Sequence, residues 1–335
     1  MDYTILNELI NIDSPSGFTK QASAYIFDLL KSYGFNPFYT NKGAVKVHLG
    51  ADPTIAIAAH VDTLGAIVSE IKNDGTLRFS TIGGLQLNSA EGEYVRVYTL
   101  DDKVVNGTIL IDNPAAHVNK TIAETKRNLD NLHIRLDEVV KSKEDVLDLG
   151  IDIGDIVCLY PNYEELESGY IKSRFLDNKA GCFVLLELSR QISESNKNLP
   201  VELYFSNYEE VGHGAATGFA PNIKELLVID MGVVGDGCTG DETLCSICAK
   251  DSSGPYDFEM RKKLTELAKK DKLQFTTDIF PFYGSDGSAA LRAGNNFRVA
   301  LIGPGVAASH GNERTHKQGI EATISLTKAY INTFV

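Results

Sequence analysis

The sequence predicts an α/β domain, built from both ends of the chain, that is interrupted by a small all-β domain. Near both ends, some segments carry apolar residues at helical spacing and others form strand-like apolar runs. In between, short alternating segments are separated by Gly, Asn and Asp turns, with little helix. We therefore predict an α/β domain of residues 1–65 and 170–335 and an inserted β domain of residues 66–169.

The first part of the α/β domain is predicted to contain two helices followed by two strands. Apolar positions recur at helical spacing within residues 3–10 and 22–30, and the sequence Ser-Pro-Ser-Gly at 14–17 separates the two helices. Strand-like runs follow at 44–47 and 55–59. In the inserted domain, clear alternation predicts strands at residues 94–98 and 107–110.

After the insertion, strands and helices alternate again. Helices are predicted at residues 180–192, 261–270, 285–292 and about 317–334, and strands at 201–205, 226–229 and 299–302. The run at 226–229 is apolar throughout, which is typical of a strand that is buried on both faces. The sequence Gly-Pro-Gly at 303–305 predicts a turn after the last strand.

Charge and composition restrict the class of partner. The chain has 335 residues, of which 32 are Lys or Arg and 45 are Asp or Glu, so its net charge is −13. This negative charge disfavours binding to nucleic acid or to anionic membrane surfaces. No apolar run reaches the roughly 18 residues that a membrane span needs, and the first residues lack the pattern of a secretion signal.

The cysteines predict a reducing compartment. Their number, five, is odd, whereas secreted disulfide frameworks usually contain an even number. We therefore expect reduced thiols and a cytoplasmic location. Cys245 and Cys248 have the spacing of a redox or zinc motif, but they lie in an apolar strand-like run without a second such pair, so we interpret them as buried structural thiols.

Acidic and imidazole side chains stand where several predicted elements begin or end. Singly, each has a simple structural explanation, such as a helix cap or a solvated turn. Ligands of open α/β sheets, however, bind at the carboxyl ends of the strands, so we expect these side chains to converge. The candidates are His60 and Asp62 after the strand at 55–59, Asp177 before the helix at 180–192, Glu209 and Glu210 after 201–205, Asp230 after 226–229, and His310 after 299–302.

Such a cluster predicts divalent cations. Several carboxylates in one cleft would repel one another, and some would have to be protonated, unless cations neutralised them. Nitrogen and oxygen ligands without thiolates favour zinc, cobalt or manganese. Asp62 lies two positions after His60 on an extended chain, so both side chains share a face, and a carboxylate there commonly orients a metal-binding imidazole.

Four motifs in their order along the chain resemble those of the glutamyl aminopeptidase and tetrahedral aminopeptidase family of dinuclear metallopeptidases. They are the sequences at residues 59–62, 173–181, 209–212 and 228–232. The resemblance covers essentially the whole chain. It implies a mixed-sheet exopeptidase domain with helices on both faces and two divalent ions per subunit, zinc or cobalt, that hydrolyse the N-terminal residue from peptides. It also implies a homo-oligomer, such as a dodecamer, assembled through the β insertion.

The resemblance further implies a role for each candidate ligand. His60 and Asp230 would hold one metal ion, Glu210 and His310 would hold the other, and Asp177 would bridge the two. Two dications, three carboxylates and one bridging hydroxide give a neutral cluster, which agrees with this assignment.

The remaining roles and the alternatives concern single residues. By resemblance, Glu209 would be the general base and Asp62 would orient His60. The segment at 309–316 differs from the commoner family form, so His316 is an alternative to His310. We favour His310 because it follows the strand directly, whereas His316 resembles the start of the last helix. His213 is a further candidate ligand, although packing in a loop explains it at least as well.

Three other functions are compatible with parts of this pattern. A deacetylase or carboxypeptidase of related fold could use the same metal pair, but we find no arginine constellation for its anionic substrate group. A glycosidase could use Glu209 and Glu210, yet adjacent side chains on an extended chain point apart. A non-catalytic binding protein would retain the fold with an incomplete ligand set, whereas here the set is complete.

Overall fold

The chain consists of two compact units. The computed structural model describes residues 1–195 and 198–334. The first unit comprises Met1–Thr63 and Asn162–Val335, and the second comprises Leu64–Pro161. The first contains a large mixed sheet with helices, and the second contains a small closed barrel. The predicted fold class, an α/β domain together with a small all-β domain, is confirmed.

The secondary-structure elements have the following bounds. The helices are α1 (Thr4–Asn11), α2 (Lys20–Ser32), α3 (Leu87–Ala90), α4 (Lys143–Asp148), α5 (Leu176–Ser195), α6 (Phe258–Lys270), α7 (Asp286–Arg292) and α8 (Lys317–Ile331). The strands are β1 (Phe38–Tyr39), β2 (Val45–His48), β3 (Ile55–His60), β4 (Gly65–Ile71), β5 (Leu77–Ile82), β6 (Tyr94–Tyr98), β7 (Val104–Ile111), β8 (Leu132–Leu136), β9 (Ile156–Leu159), β10 (Glu164–Glu165), β11 (Tyr170–Ser173), β12 (Val201–Ser206), β13 (Glu225–Ile229), β14 (Gly232–Val234), β15 (Cys245–Asp251), β16 (Gly254–Pro255), β17 (Phe275–Ile279), β18 (Arg298–Ala307) and β19 (Glu313–His316).

Parallel strands form the centre of the large sheet. The main strand order is β1-β2-β12-β3-β13-β18-β19-β11-β10. Strand β3 runs parallel to β12 and β13, and β13 runs parallel to β18, whereas the pairs β2–β12 and β11–β19 are antiparallel. Because β12, β3, β13 and β18 are parallel neighbours, their carboxyl ends lie along one edge of the sheet.

Helices cover both faces of this sheet. Alternating residues of β3 enter two different cores: Ile55 and Ile57 pack with residues of α1, α2, α5, α6 and α8, whereas Ala56 and Ala58 pack on the opposite face with Ala290 of α7. Helix α5 is buried on nearly all sides over its first four turns. This burial explains why its own sequence has apolar residues on most sides of the helix.

In the second unit, six strands close into a barrel in the order β4-β5-β8-β7-β6-β9. Closure leaves no free sheet edge within this barrel. Strand β6 spans the residues predicted for it, and β7 extends the predicted strand at both ends. The unit also contains the short helices α3 and α4, and α4 begins with a capping box in which Ser142 and Asp145 exchange hydrogen bonds.

The predicted turn at Gly-Pro-Gly 303–305 is wrong, because β18 continues through it to Ala307. Tertiary contacts explain the difference. A Cβ atom on Gly303 would lie 1.7 Å from the carbonyl oxygen of Asp230, and one on Gly305 would lie 2.1 Å from that of Asp241. Glycine therefore allows β18 to pass close to two other backbone segments, and its use here reflects packing rather than a turn.

The cysteine prediction agrees with the structure. All five cysteines are free, and Cys245 and Cys248 lie buried in β15, an apolar strand. Burial raises the pKa of both thiols to about 12, which makes them poor nucleophiles and poor metal ligands. In the described parts of the chain, no helix has both the length and the apolar sequence needed to cross a bilayer.

We expect the Leu203→Ala substitution to lower the free energy of unfolding by about 2–5 kcal/mol, because Leu203 is fully buried in β12 and its loss leaves a cavity. The matched control is Leu291→Ala, since Leu291 is 44% exposed on α7 and its truncation should cost less than about 1 kcal/mol. Urea denaturation followed by circular dichroism measures both. Equal effects of the two substitutions would contradict the described packing.

Candidate metal centre

Four parallel strands deliver the candidate residues to one edge of the sheet. Strand β3 ends at His60, β12 leads to Glu209 and Glu210, β13 is followed by Asp230, and β18 leads to His310. Asp177 joins them from the first turn of α5, where its backbone is not yet helical. All six residues belong to the first unit.

The first group of contacts surrounds the imidazole of His60. Its Nε2 atom lies 3.2 Å from Oδ1 of Asp177, 3.8 Å from Oε2 of Glu209 and 4.0 Å from Oδ1 of Asp230. The side chain of His60 is only 2% exposed. A buried nitrogen thus faces three carboxylates.

The second group surrounds the imidazole of His310. Its Nε2 atom lies 3.6 Å from Oδ2 of Asp177 and 3.7 Å from Oε2 of Glu210. Asp177 therefore turns one carboxylate oxygen to each of the two histidines. Possible ligand atoms of His60, Asp177 and Glu210 lie within 4.8 Å of one another, a spacing that a metal ion could span.

Asp62 supports the loop that carries the two glutamates. Its carboxylate accepts the backbone N–H groups of Glu209 at 3.1 Å and Glu210 at 3.3 Å, and the hydroxyl of Ser16 donates to it at 2.5 Å. Toward His60, the nearer acceptor is the backbone carbonyl of Asp62, 2.9 Å from Nδ1, while the carboxylate lies at 3.6 Å. Asp62 thus contacts the ring with its backbone and holds the loop with its side chain.

A second buried carboxylate, Asp286, fixes the base of the same loop. One oxygen accepts the hydroxyl of Ser206 at 2.5 Å and the other accepts the backbone N–H of Ala215 at 2.7 Å, so Asp286 joins the two ends of the loop. Asp286 is not among the site residues that were predicted from the sequence. The sequence Gly-Ser-Asp-Gly at 284–287 resembles a family segment but equally predicts a turn and a helix cap, and Ser285 does cap α7.

Glu313 is another residue that sequence reasoning missed. It is buried at the start of β19, and its two oxygens accept the backbone N–H groups of His310 at 2.9 Å and of Asp177 at 3.0 Å. An acid three residues after a candidate ligand is a weak signal. Its contact with Asp177 depends on the pairing of β19 with β11, which the sequence does not reveal.

The two alternative histidines do not join the cluster. His213 is exposed and stacks on Tyr208, with 5.1 Å between ring centres. His316 caps α8 by accepting the backbone N–H of Gln318 through Nδ1, and its Nε2 atom lies 3.0 Å from the carbonyl oxygen of Ser168. Both residues therefore have local structural partners.

Burial concentrates charge in this cluster and shifts its pKa values. Burial raises the pKa of Glu209 and of Glu210 well above their ordinary range. Burial and then the charge of Asp177 raise the pKa of Asp230 to about 8. Burial also disfavours a charged His60, but the neighbouring carboxylates, first Asp177 and then Asp62, prevail and raise its pKa well above the usual value.

The donor atoms suit divalent cations. Oε1 of Glu210 is buried and has no hydrogen-bond partner among the described residues, although a buried carboxylate oxygen is costly to leave without one. Carboxylate oxygens and imidazole nitrogens without thiolates are donors for zinc, cobalt or manganese. A cation would satisfy this oxygen and offset the repulsion among the carboxylates, so the residues fit a metal centre.

Sequence comparison relates this chain to aminopeptidases. The family model described as M42 glutamyl aminopeptidase matches residues 43–326. The chain is also 43% identical over 334 residues to the "Putative aminopeptidase YhfE" of Bacillus subtilis (strain 168), and the match covers 98% of this chain and 96% of the relative.

Solved structures share the fold. A TET aminopeptidase from the marine sediment archaeon Thaumarchaeota archaeon SCGC AB-539-E09 superposes with a TM-score of 0.89 at 22% identity, covering 98% of this chain and 95% of the other. The TET1 peptidase of Pyrococcus horikoshii, which can assemble into a tetrahedron or a large octahedral shell, superposes with a TM-score of 0.85 at 23% identity, covering 98% of each chain.

Without divalent cations, we expect the protein to become less stable as the pH rises from about 4 to about 8. Asp230 has a pKa of about 8 in the folded chain against an ordinary value of 3.8, so the folded state binds more protons in this window. Raising the pH removes that stabilisation. Thermal unfolding in excess chelator, at about pH 5 and about pH 8, measures the effect.

The control for this pH dependence is Asp230→Asn, which removes the titrating group. We expect the thermal midpoint of this variant to depend less steeply on pH than that of the unsubstituted protein. The same slope in both proteins would show that Asp230 does not titrate as described.

Proposed function

The chain belongs to the M42 glutamyl aminopeptidase family and is an aminopeptidase, and we propose that it works through a dinuclear metal centre with Glu209 as the general base. The observation that carries this proposal is the position of Asp177 between two imidazoles, with one carboxylate oxygen toward His60 and the other toward His310. A carboxylate with this arrangement is suited to bridge two cations.

Two sets of residues would hold the two ions. His60 lies near Oδ1 of Asp177 and near Asp230, and His310 lies near Oδ2 of Asp177 and near Glu210. The ions we propose are zinc or cobalt, because the donors are nitrogen and oxygen atoms. When bound, a pair of such dications acidifies water between them and polarises the scissile carbonyl.

Glu209 is positioned to move the proton. Its carboxylate lies 3.8 Å from Nε2 of His60, at the centre of the cluster, and its backbone N–H is held by Asp62. Because burial raises its pKa, this carboxylate favours accepting a proton from the attacking water and then donates it to the leaving amine. Surplus negative charge at the centre would also attract the free α-ammonium group of a peptide.

Membership of this family favours the aminopeptidase over a glycosidase, a deacetylase, a carboxypeptidase or a non-catalytic binding protein. The geometry also argues against glycosidase chemistry by Glu209 and Glu210. Glu210 faces His310, whereas Glu209 faces His60, so the two side chains serve different parts of one cluster.

We also propose a cytoplasmic homo-oligomer in which the barrel of Leu64–Pro161 mediates assembly. Two observations support this proposal. The five free cysteines are compatible with a reducing compartment. The TET1 peptidase of Pyrococcus horikoshii, which shares the fold along nearly the whole chain, can assemble into a tetrahedron or a large octahedral shell.

We expect Glu209→Gln to lower kcat by about 10²–10⁴-fold, because an amide cannot take the proton of the attacking water. The content of bound metal should stay near that of the unsubstituted enzyme. Chromogenic aminoacyl substrates measure the rate, and elemental analysis measures the metal. Retained activity in this variant would exclude Glu209 as the base.

Glu210→Gln and Glu266→Gln are the matched controls. Glu210 is the adjacent residue and a proposed ligand, so its substitution should lower the metal content as well as the activity. Glu266 is exposed on α6, and its substitution should change neither. Equal metal content in the Glu209 and Glu210 variants would contradict the different roles that we propose for them.

Chelation should abolish activity and lower the melting temperature, because ligands that bind only the folded state stabilise it by RT ln(1 + [L]/Kd). Zinc and cobalt, added back separately to the chelated enzyme, should restore both properties to different extents. Differential scanning calorimetry and the same substrates provide the measurements. A melting temperature unaffected by chelation would argue against the centre.

A further inference from the structure

We propose that Glu313 is a positioning residue that fixes His310 relative to Asp177. It thereby completes the second metal site, which is the one that Glu210 and His310 would form with Asp177. This inference rests on the proposed dinuclear centre. Glu313 is 3% exposed, and it reaches backbone groups that are far apart in the sequence. One oxygen accepts the N–H of His310, and the other accepts the N–H of Asp177, 136 residues away.

Strand pairing brings Glu313 to this position. Glu313 is the first residue of β19 and lies opposite Ser173, the last residue of β11, in the antiparallel pair. The chain after Ser173 leads directly into Asp177, and the chain before Glu313 carries His310. The glutamate therefore stands between the two segments whose side chains face each other as Nε2 of His310 and Oδ2 of Asp177, 3.6 Å apart.

His310 needs such support more than the other histidine does. The side chain of His60 is 2% exposed, and His60 is the last residue of a buried central strand, whereas the side chain of His310 is 34% exposed in a loop. The φ angle of His310 is 65°, and that of Ala308 is 56°, in the left-handed region that non-glycine residues seldom adopt. One bond from the Glu313 carboxylate holds this segment in a conformation that costs energy, and the second bond of the same carboxylate ties it to Asp177.

The proposed role requires both carboxylate oxygens of Glu313 to accept hydrogen bonds. A residue that only filled space would not need two acceptors, so a substitution of equal size can distinguish the two roles. Glutamine has nearly the same size as glutamate, so Glu313→Gln preserves the packing. Its NH₂ group, however, would face a backbone N–H, so one of the two hydrogen bonds would be lost. We expect His310 to be held less firmly relative to Asp177 and the second metal ion to bind more weakly.

The experiment is a titration with Zn²⁺, by isothermal calorimetry, of the metal-free enzyme obtained by chelation and removal of the chelator. For Glu313→Gln we expect two binding steps. The Zn²⁺ affinity of the weaker step should be about 10–100-fold lower than in the unsubstituted enzyme, as is typical when a partner of a metal ligand is removed. The stronger step should stay unchanged. Activity should return when the concentration of Zn²⁺ is raised, because the variant lacks affinity rather than a reacting group.

Glu242→Gln is the matched control. Glu242 is also buried, and its carboxylate binds the guanidinium of Arg314, the residue after Glu313, at 2.7 and 2.9 Å. Its substitution removes the negative charge from an ion pair with the same strand without touching His310 or Asp177. We expect its two Zn²⁺ affinities to equal those of the unsubstituted enzyme.

The outcomes separate this inference from the proposed function. Two Zn²⁺ steps in the unsubstituted enzyme that remain unaltered in Glu313→Gln would overturn the role of Glu313 alone, as would equal weakening of both steps. Absence of two steps in the unsubstituted enzyme would overturn the dinuclear centre itself. Should Glu313→Gln not fold, Glu313→Asp keeps both oxygens but is one methylene shorter, and it must weaken the same step or the inference fails.

Discussion

The structure depends on a concentration of negative charge at the edge of an apolar sheet. Asp177, Glu209, Glu210 and Asp230 meet there with little access to water, beside the imidazoles of the two histidines. Burial raises the pKa of most of these acids, which means that the fold alone does not favour their charged forms. Bound cations would resolve this conflict and would link stability to catalysis, because the same ions would stabilise the carboxylates and activate water.

The elements that bring the charges together were largely predictable. His60, Glu209 and Asp230 stand next to strands with clear apolar runs, and the parallel alternation of strands and helices places such ends on one edge. The order of the four motifs added the expectation of a dinuclear metallopeptidase. The family and the fold class are confirmed, and the roles of the single residues stay predictions that the geometry supports.

The backbone contacts of the supporting carboxylates could not be predicted in the same way. Asp62 was expected at the site, but as a partner of the His60 ring, whereas its support of the loop and the roles of Asp286 and Glu313 were not expected. All three act on backbone N–H groups that become their neighbours only through tertiary structure. Sequence patterns report periodicity and local caps, so a buried acid with distant partners resembles an ordinary turn residue. The same limit explains the Gly-Pro-Gly segment, where close approach of the Asp230 backbone requires glycine and a turn does not form.

All six proposed reacting and ligating side chains lie in Met1–Thr63 and Asn162–Val335, although the barrel interrupts that unit directly after β3. Substitutions in the barrel therefore leave the identity of every donor atom unchanged. Related enzymes could alter the length, surface and partners of the barrel while the hydrolytic chemistry stays the same. The barrel can therefore change in sequence, in evolution or by design, without replacing any of the proposed metal ligands or the proposed base.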